Sequence, residues 1–253
     1  MLTIVKIGTN LLTTNEGRLD LNNLRGLIDQ IAALHKAGHR FIVVTSGAIT
    51  CGSERMHICA TSIPQKQAAA AVGQGLLMRE YIEFFGRHGL EVGQILLTKD
   101  VLSHPIAKEN ALNTINTLLM CNVIPIINEN DSVATDEIGA KFGDNDELSS
   151  LVAKLIQAGR LLLLTDIDGV FSSNPKLDAK ATLLPELKIG PNTLKLAEDV
   201  SNGRSRGGMT SKLKSAKDAT DAGIEVYIAN GRNATVIADI FAGKPTGTRI
   251  LRS

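Results

Sequence analysis

Short apolar runs alternate with helical patterns along almost the whole chain, and nearly every run gives way to a polar or glycine-bearing turn. Residues 2–7, 40–45, 90–97, 123–127, 160–164 and 224–229 read as strands: each is brief, rich in Val, Ile and Leu, and bounded by turn residues. Between them, Leu24, Leu27, Ile28, Ile31 and Leu34 form a helical stripe that stops at Gly38, and Pro64 opens a longer helix over 65–87. Further helical patterns cover 107–120, 148–158, 209–223 and 234–241, with a hairpin read at 133–142 and a last short run at 248–251. Strands this apolar need cover on both faces, and parallel strands need helical crossovers. The alternation therefore predicts an α/β fold, a three-layer α/β/α sandwich around a mainly parallel sheet. At 253 residues the chain can bury its core as one large domain or two closely joined lobes.

Such sheets bind ligands outside the carboxyl ends of their strands, so the turns there carry the functional reading. Ser46-Gly47 follows the second strand; Ser46 offers a hydroxyl and nearby backbone N–H groups, or serves as a turn residue or helix cap. It is no nucleophile elbow, because G-x-S-x-G is absent. Asn128-Glu129-Asn130-Asp131-Ser132 follows the fourth strand, where amides and carboxylates suit either a turn or a polar substrate. In Gly143-Asp144-Asn145-Asp146-Glu147, Asp144 and Glu147 have capping-box spacing, which leaves Asp146 without that explanation. A carboxylate in a helix's first turn is favoured by the dipole and suits the orientation of lysines arriving from elsewhere. Thr165-Asp166-Ile167-Asp168-Gly169 follows the fifth strand; counted from Asp166, the twelfth position is Leu177, so it is no calcium-binding EF-hand loop. Lys6 lies near the end of the first strand among apolar neighbours, costly unless its ammonium reaches water or an anion. Ala68 to Ala71 and the following Val72-Gly73-Gln74-Gly75 read as a close-packing helix face.

The stretch Gly203-Arg204-Ser205-Arg206-Gly207-Gly208-Met209-Thr210-Ser211-Lys212 delivers a helix N-terminus behind two adjacent glycines. Unpaired N–H groups and the dipole favour an anion there by roughly 0.3–1 kcal/mol, and Lys212 adds a full charge. The competing reading is a loop capped by Thr210 or Ser211 with a solvated basic face beyond it. A Walker A loop is excluded, since Ser211 precedes Lys212 and Arg206 occupies the earlier glycine position. No strand-to-helix G-x-G-x-x-G occurs either.

With 27 basic and 26 acidic residues the chain has no polyelectrolyte character, and six Phe, two Tyr and no Trp provide little base-stacking surface. Neither nucleic acid nor membrane is indicated as a partner; a small molecule is. Three cysteines without C-x-x-C spacing and the lack of a signal-peptide pattern suit reduced thiols and a cytoplasmic protein. His35 and His39 stand four apart, but Gly38 ends the helix between them, so they form no metal pair.

Two lysines from opposite ends of the chain, Lys6 and Lys212, thus fall among these turns, with Asp146 as an acid able to hold them apart. Phosphoryl transfer asks for such a setting, because its catalysis is mostly positioning and electrostatic stabilisation. At this point the chain resembles the amino acid kinases, over residues 3 to about 251. VKIGTN from Val5 and LLLLTDIDGVF from Leu161 are shared widely in that family; VTSGAI from Val44, KQAAAAVGQG from Lys66, INENDSVAT from Ile127, FGDND from Phe142 and GGMTSKLKSA from Gly207 are more specific. The resemblance implies ATP-dependent phosphorylation of the side-chain carboxylate of L-glutamate, the first step of proline synthesis. Carried over residue by residue, Lys6 and Lys212 bracket the moving phosphoryl group and Asp146 orients them. Ser46, Gly47, Asp131 and Asn145 hold glutamate. Lys6, Thr165, Asp166 and the turn Arg206, Gly207, Gly208, Met209, Thr210, Ser211 and Lys212 hold ATP, with magnesium bridging the phosphates rather than bound by a dedicated protein site.

The family likeness further implies one kinase domain with a substrate lobe over about 1–159 and an ATP lobe over 160–253. It also implies a homo-oligomer (dimer or tetramer), proline as a feedback inhibitor, and coupling of the labile acyl phosphate to glutamate-5-semialdehyde dehydrogenase. Two features depart from the pattern. Arg206 stands where relatives often carry Thr or Ser, its guanidinium either contacting phosphate or facing water, and the C-terminal PUA domain of many members is not expected here. The rivals are a sister kinase acting on acetylglutamate, carbamate, aspartate or a nucleoside monophosphate, and a catalytically silent nucleotide-binding regulator.

Overall fold

The computed structural model describes residues 1–14, 16–133, 145–175, 177–190, 193 and 208–252. Its strands are β1 Leu2–Ile7, β2 Arg40–Val44, β3 Val92–Leu97, β4 Ile124–Glu129, β5 Arg160–Thr165, β6 Glu186–Lys188, β7 Glu225–Asn230 and β8 Thr248–Leu251. They form one sheet in the order β3-β4-β2-β1-β5-β7-β8-β6, parallel throughout except for the β7–β8 pair. The helices are α1 Thr9–Leu12, α2 Leu21–Lys36, α3 Ala48–Met56, α4 Ile63–Gly86, α5 Lys99–Ser103, α6 Pro105–Met120, α7 Asn145–Leu155, α8 Met209–Asp221 and α9 Val236–Phe241. None among the described residues is long and apolar enough to cross a membrane.

Alternate residues of a strand face opposite sides of its sheet, and the central strands divide accordingly. Val5, Ile7, Phe41, Val43, Leu162 and Leu164 pack with apolar residues of α2, α4 and α9 in one cluster. Ile4, Ile42, Val44, Leu161 and Leu163 pack with residues of α6, α7 and α8 in the other. These are the two interfaces of the expected three-layer sandwich. Lys6 shares the parity of Ile4, so it belongs to the face that α7 and α8 cover.

The element bounds differ from the sequence expectation where chemistry meets structure. β4 runs on through Glu129, so Asn128 lies within a buried strand instead of opening a turn, and α7 begins at Asn145 rather than 148. β6 has three residues and α1 four, too short for any periodicity to register, and α3 and α5 are likewise additions to the sequence expectation. The hairpin read at 133–142 falls, beyond Val133, outside the described residues, as do Asp144 and the Gly203–Gly207 part of the glycine-rich stretch.

The small-residue segment of α4 packs as expected, and its partner is α3. A Cβ on Gly73 would lie 1.8 Å from the Ala48 carbonyl oxygen, and one on Gly52 1.7 Å from that of Ala69. The two helix backbones therefore touch where only glycine fits. Ser62 caps α4 in a capping box with Gln65, which fixes where the helix starts. α3 in turn starts at Gly47, whose φ of 98° is the left-handed conformation that glycine accepts.

Candidate active site

The carboxyl ends of β1, β2, β4 and β5 lie side by side, and the polar residues of the chain collect there. At the centre is Asp146, in the first turn of α7 and fully buried. Its Oδ1 lies 2.5 Å from Lys6 Nζ and its Oδ2 3.0 Å from Lys212 Nζ. Lys6 comes from the end of β1 and Lys212 from the first turn of α8, and both are themselves buried, at 5% and 8% exposure. Burial alone would raise the pKa of Asp146. The charges of Lys6 and then Lys212, with hydrogen bonds from both, outweigh burial and hold the carboxyl below its ordinary value. One carboxylate thus fixes two ammonium groups on opposite sides of itself.

The neighbouring residue, Asn145, turns the other way. Its Nδ2 donates to the Thr45 carbonyl at 2.9 Å, to Ser46 Oγ at 3.0 Å and to Asn128 Oδ1 at 3.0 Å. Asn128 Nδ2 donates in turn to Gln74 Oε1 of α4 at 2.8 Å. Tyr81, also on α4 and fully buried, donates its hydroxyl to Thr45 Oγ1 at 2.8 Å, and burial raises its pKa. Asp131 lies two residues beyond β4, 7% exposed; burial first and the charge of Glu129 second push its pKa up to about 7. Asp131 Oδ1 has no hydrogen-bond partner among the described residues.

On the other side, Thr165 ends β5 buried, with its hydroxyl 3.2 Å from Asp166 Oδ1. Asn10 Nδ2 donates to Asp166 Oδ2 at 3.1 Å. Arg232, in the turn after β7, donates to the Asn10 carbonyl at 2.7 Å and to Asp20 Oδ2 at 3.2 Å, tying the start of the chain to its last third. α8 is capped by Gly208 with no side-chain cap bond, so neither Thr210 nor Ser211 serves as its cap. Both sit inside its first turn, and Thr210 Oγ1 is buried without a partner among the described residues.

The structure thus brings together Lys6, Asp146 and Lys212, joins Ser46 to Asn145, and joins Thr165 to Asp166. Gly47 stands at the head of α3, and Gly208, Met209, Thr210 and Ser211 open the helix that carries Lys212. Arg206 and Gly207 lie outside the described residues. Sequence reasoning gave no role to Asn10 or Gln74, and gave Asn128 only a share in a cluster suited to a turn or a polar substrate. Asn128 had a signal, the polar cluster after a buried run; Gln74 was hidden inside a segment that reads as packing. Among the described residues no group of three or more His, Cys, Asp or Glu is placed to hold a metal ion.

The chain, a sheet between two helical layers with a buried lysine–aspartate–lysine array at its carboxyl edge, belongs to the amino acid kinase family, whose model matches residues 1–230. Among relatives, the chain is 42% identical to a glutamate 5-kinase of Listeria innocua, over 97% of this chain and 91% of that one. It is 44% identical to a glutamate 5-kinase of Clostridium tetani, over 97% and 92%. A third, from Syntrophus aciditrophicus, is 45% identical over 98% of this chain and 64% of its own longer length. Among solved structures, the carbamate kinase from Giardia lamblia bound to AMP-PNP superposes with a TM-score of 0.70 at 19% identity, covering 100% of this chain and 98% of that one. The T. acidophilum isopentenyl phosphate kinase product complex gives 0.68 at 16%, covering 99% and 100%. At such identities these two share the fold.

Proposed function

We propose that the protein transfers the γ-phosphoryl group of ATP to the γ-carboxylate of L-glutamate, forming L-glutamyl 5-phosphate and ADP. The observation that carries this reading is the array in which buried Asp146 holds Lys6 and Lys212, 206 positions apart in sequence, within 3.0 Å of one carboxylate. In the reaction a glutamate carboxylate oxygen bonds to the γ-phosphorus as the bond to the bridging oxygen breaks and ADP leaves. Negative charge shifts along that line, and two fixed ammonium groups offset it without reorganising. Glutamate's carboxylate is ionised at neutral pH, with an ordinary pKa of about 4.3, so the step needs no general base.

The same reading assigns the roles. Lys6 and Lys212 bracket the phosphoryl group, and Asp146 orients them. Asn145, Ser46, Gly47 and Asp131 hold glutamate at the ends of β2 and β4. Thr165, Asp166 and the head of α8 from Gly208 to Lys212, preceded by Arg206 and Gly207, hold ATP. Both oxygens of Asp146 engage lysines, so magnesium would enter with the phosphates of ATP and would supply charge neutralisation there. One domain, with a glutamate lobe over about 1–159 and an ATP lobe over 160–253, houses the site. Assembly into a homo-oligomer, inhibition by proline, hand-over of the acyl phosphate to glutamate-5-semialdehyde dehydrogenase and a cytoplasmic location belong to the same reading.

Hydroxylamine traps acyl phosphates. With ATP, magnesium and L-glutamate the protein is expected to yield glutamyl hydroxamate; ADP release with acetylglutamate but not with glutamate would refute the assignment.

A further inference from the structure

Three amides run in a line from α4 to α7, and two backbone groups dictate which way each one faces. The Glu129 N–H donates to Asn128 at 2.9 Å, so the atom it meets is the oxygen, Oδ1, and Asn128 turns its NH2 toward Gln74. Gln74 must therefore meet it with Oε1. At the other end the Thr45 carbonyl can only accept, so Asn145 faces it, and Asn128 Oδ1, with Nδ2. Each assignment, ordinarily a choice between two near-identical atoms, is forced by a partner of known polarity.

That polarity decides what is left over. Asn145 Oδ1, an acceptor, and Gln74 Nε2, a donor of two N–H groups, are both buried without partners among the described residues. So is the acceptor Asp131 Oδ1. Buried polar atoms without partners are rare, and two on one hydrogen-bonded line, with a third three residues beyond Asn128 in sequence, point to a ligand that completes the bonding. A donor at one end and acceptors elsewhere suit a molecule that carries both an anionic acceptor and a cationic donor. An α-amino acid does.

We infer that Gln74 Nε2 binds the α-carboxylate of the amino-acid substrate, which makes Gln74 a specificity-determining residue. The inference rests on the reading that glutamate is the phosphoryl acceptor. Asn145 adjoins Asp146 and hence the reacting end, while Gln74 lies two side chains further along the line, at the α-carbon end. Glutamate's α-carboxylate is then the acceptor Gln74 meets, and its α-ammonium is the donor for which Asp131 Oδ1 is suited.

Gln74→Glu tests this, because one carboxylate oxygen still accepts from Asn128 while the other replaces the donor. The wild type is expected to phosphorylate L-glutamate and to discriminate against its α-amide, which keeps the γ-carboxylate. In Gln74→Glu the KM for glutamate should rise by about 10–100-fold, as when a bonding donor becomes an opposed acceptor, and the preference for glutamate over its α-amide should collapse. The KM for ATP should stay within about twofold. Gln74→Met, which keeps the shape without the amide, should also lose the preference, and it stands in if Gln74→Glu does not fold. An unchanged glutamate-to-amide ratio overturns the inference, whether KM is unaltered or rises together with the KM for ATP as a merely structural role would have it. A wild type inactive on glutamate instead defeats the underlying assignment.

Discussion

Asp146→Asn removes one charge and almost no volume, so it isolates what the carboxylate does. In the wild type it compensates two ammonium groups at 2.5 Å and 3.0 Å, with all three side chains at 10% exposure or less. Breaking a buried ion pair by removing one partner costs about 3–5 kcal/mol, because the other charge is left uncompensated. For a chain of this size each kcal/mol lowers Tm by about 2–4 °C, so the variant should melt about 6–20 °C lower at neutral pH. The sign of the pH dependence follows from the depressed pKa: the carboxylate's contribution is fully present above its unfolded value and is lost as pH falls through the folded one. The gap between wild type and variant should therefore narrow toward acid. Phosphate oxygens provide the compensation that the substituted amide lacks, so saturating ATP with magnesium should raise the variant's Tm more than the wild type's. Turnover, read by hydroxamate formation, should fall by about 10²–10³-fold, as when a preorganised electrostatic group is lost. A Tm within about 2 °C of wild type together with kcat within about tenfold would refute the role given to this residue.

Asp131 should set a pH dependence of substrate binding. An arriving ammonium group is attracted by the ionised carboxylate, and a pKa of about 7 makes that form the minority below neutrality, so kcat/KM for glutamate should fall by up to about tenfold per unit below pH 7, and flatten in Asp131→Asn. A raised carboxyl favours the folded state while protonated, so wild-type stability should gain on that of Asp131→Asn as pH is lowered from about 8 to 5; parallel profiles would contradict this. Gly73→Ala, whose methyl would sit 1.8 Å from the Ala48 carbonyl, should cost at least about 1–3 kcal/mol in denaturant melts. Gly75→Ala, two residues on with nothing within 4 Å, should instead be neutral or stabilise by up to about 1 kcal/mol; equal effects at both sites would undo the proposed α3–α4 contact.

The layer order of the fold was legible because central strands that are apolar on both faces leave few architectures, and Lys6, Asp146 and Lys212 stood out as charges at element ends. What periodicity could not convey was direction. That Lys6 shares a face with Ile4 follows from strand alternation alone, but that α7 and α8 are the helices covering that face is known only from the packing. The amide line was hidden for a similar reason: Gln74, Asn128 and Asn145 lie on α4, β4 and α7, and each looks like a packing or turn residue in its own segment. Gln74 reads with its small neighbours, whose fit against α3 is real, while the side chain itself engages Asn128.

The first turn of α7 is where the two halves of the site are joined. Successive residues of an α-helix point about 100° apart, so two neighbours can serve two directions without any bend in the backbone. Asn145 reaches the ends of β2 and β4, where the amides lie, while Asp146 reaches β1 and α8, where the lysines lie. On the proposed reading, a glutamate held through Asn145 would be set at a distance from the ammonium groups that one peptide unit fixes. Holding reactants in such a fixed relation converts an encounter between them into an internal step, and this supplies a large share of the rate when little covalent chemistry falls to the protein. The burial of Asn145 and Asp146, at 4% and 0% exposure, serves the same end: water is kept from a short segment whose two side chains must not trade partners.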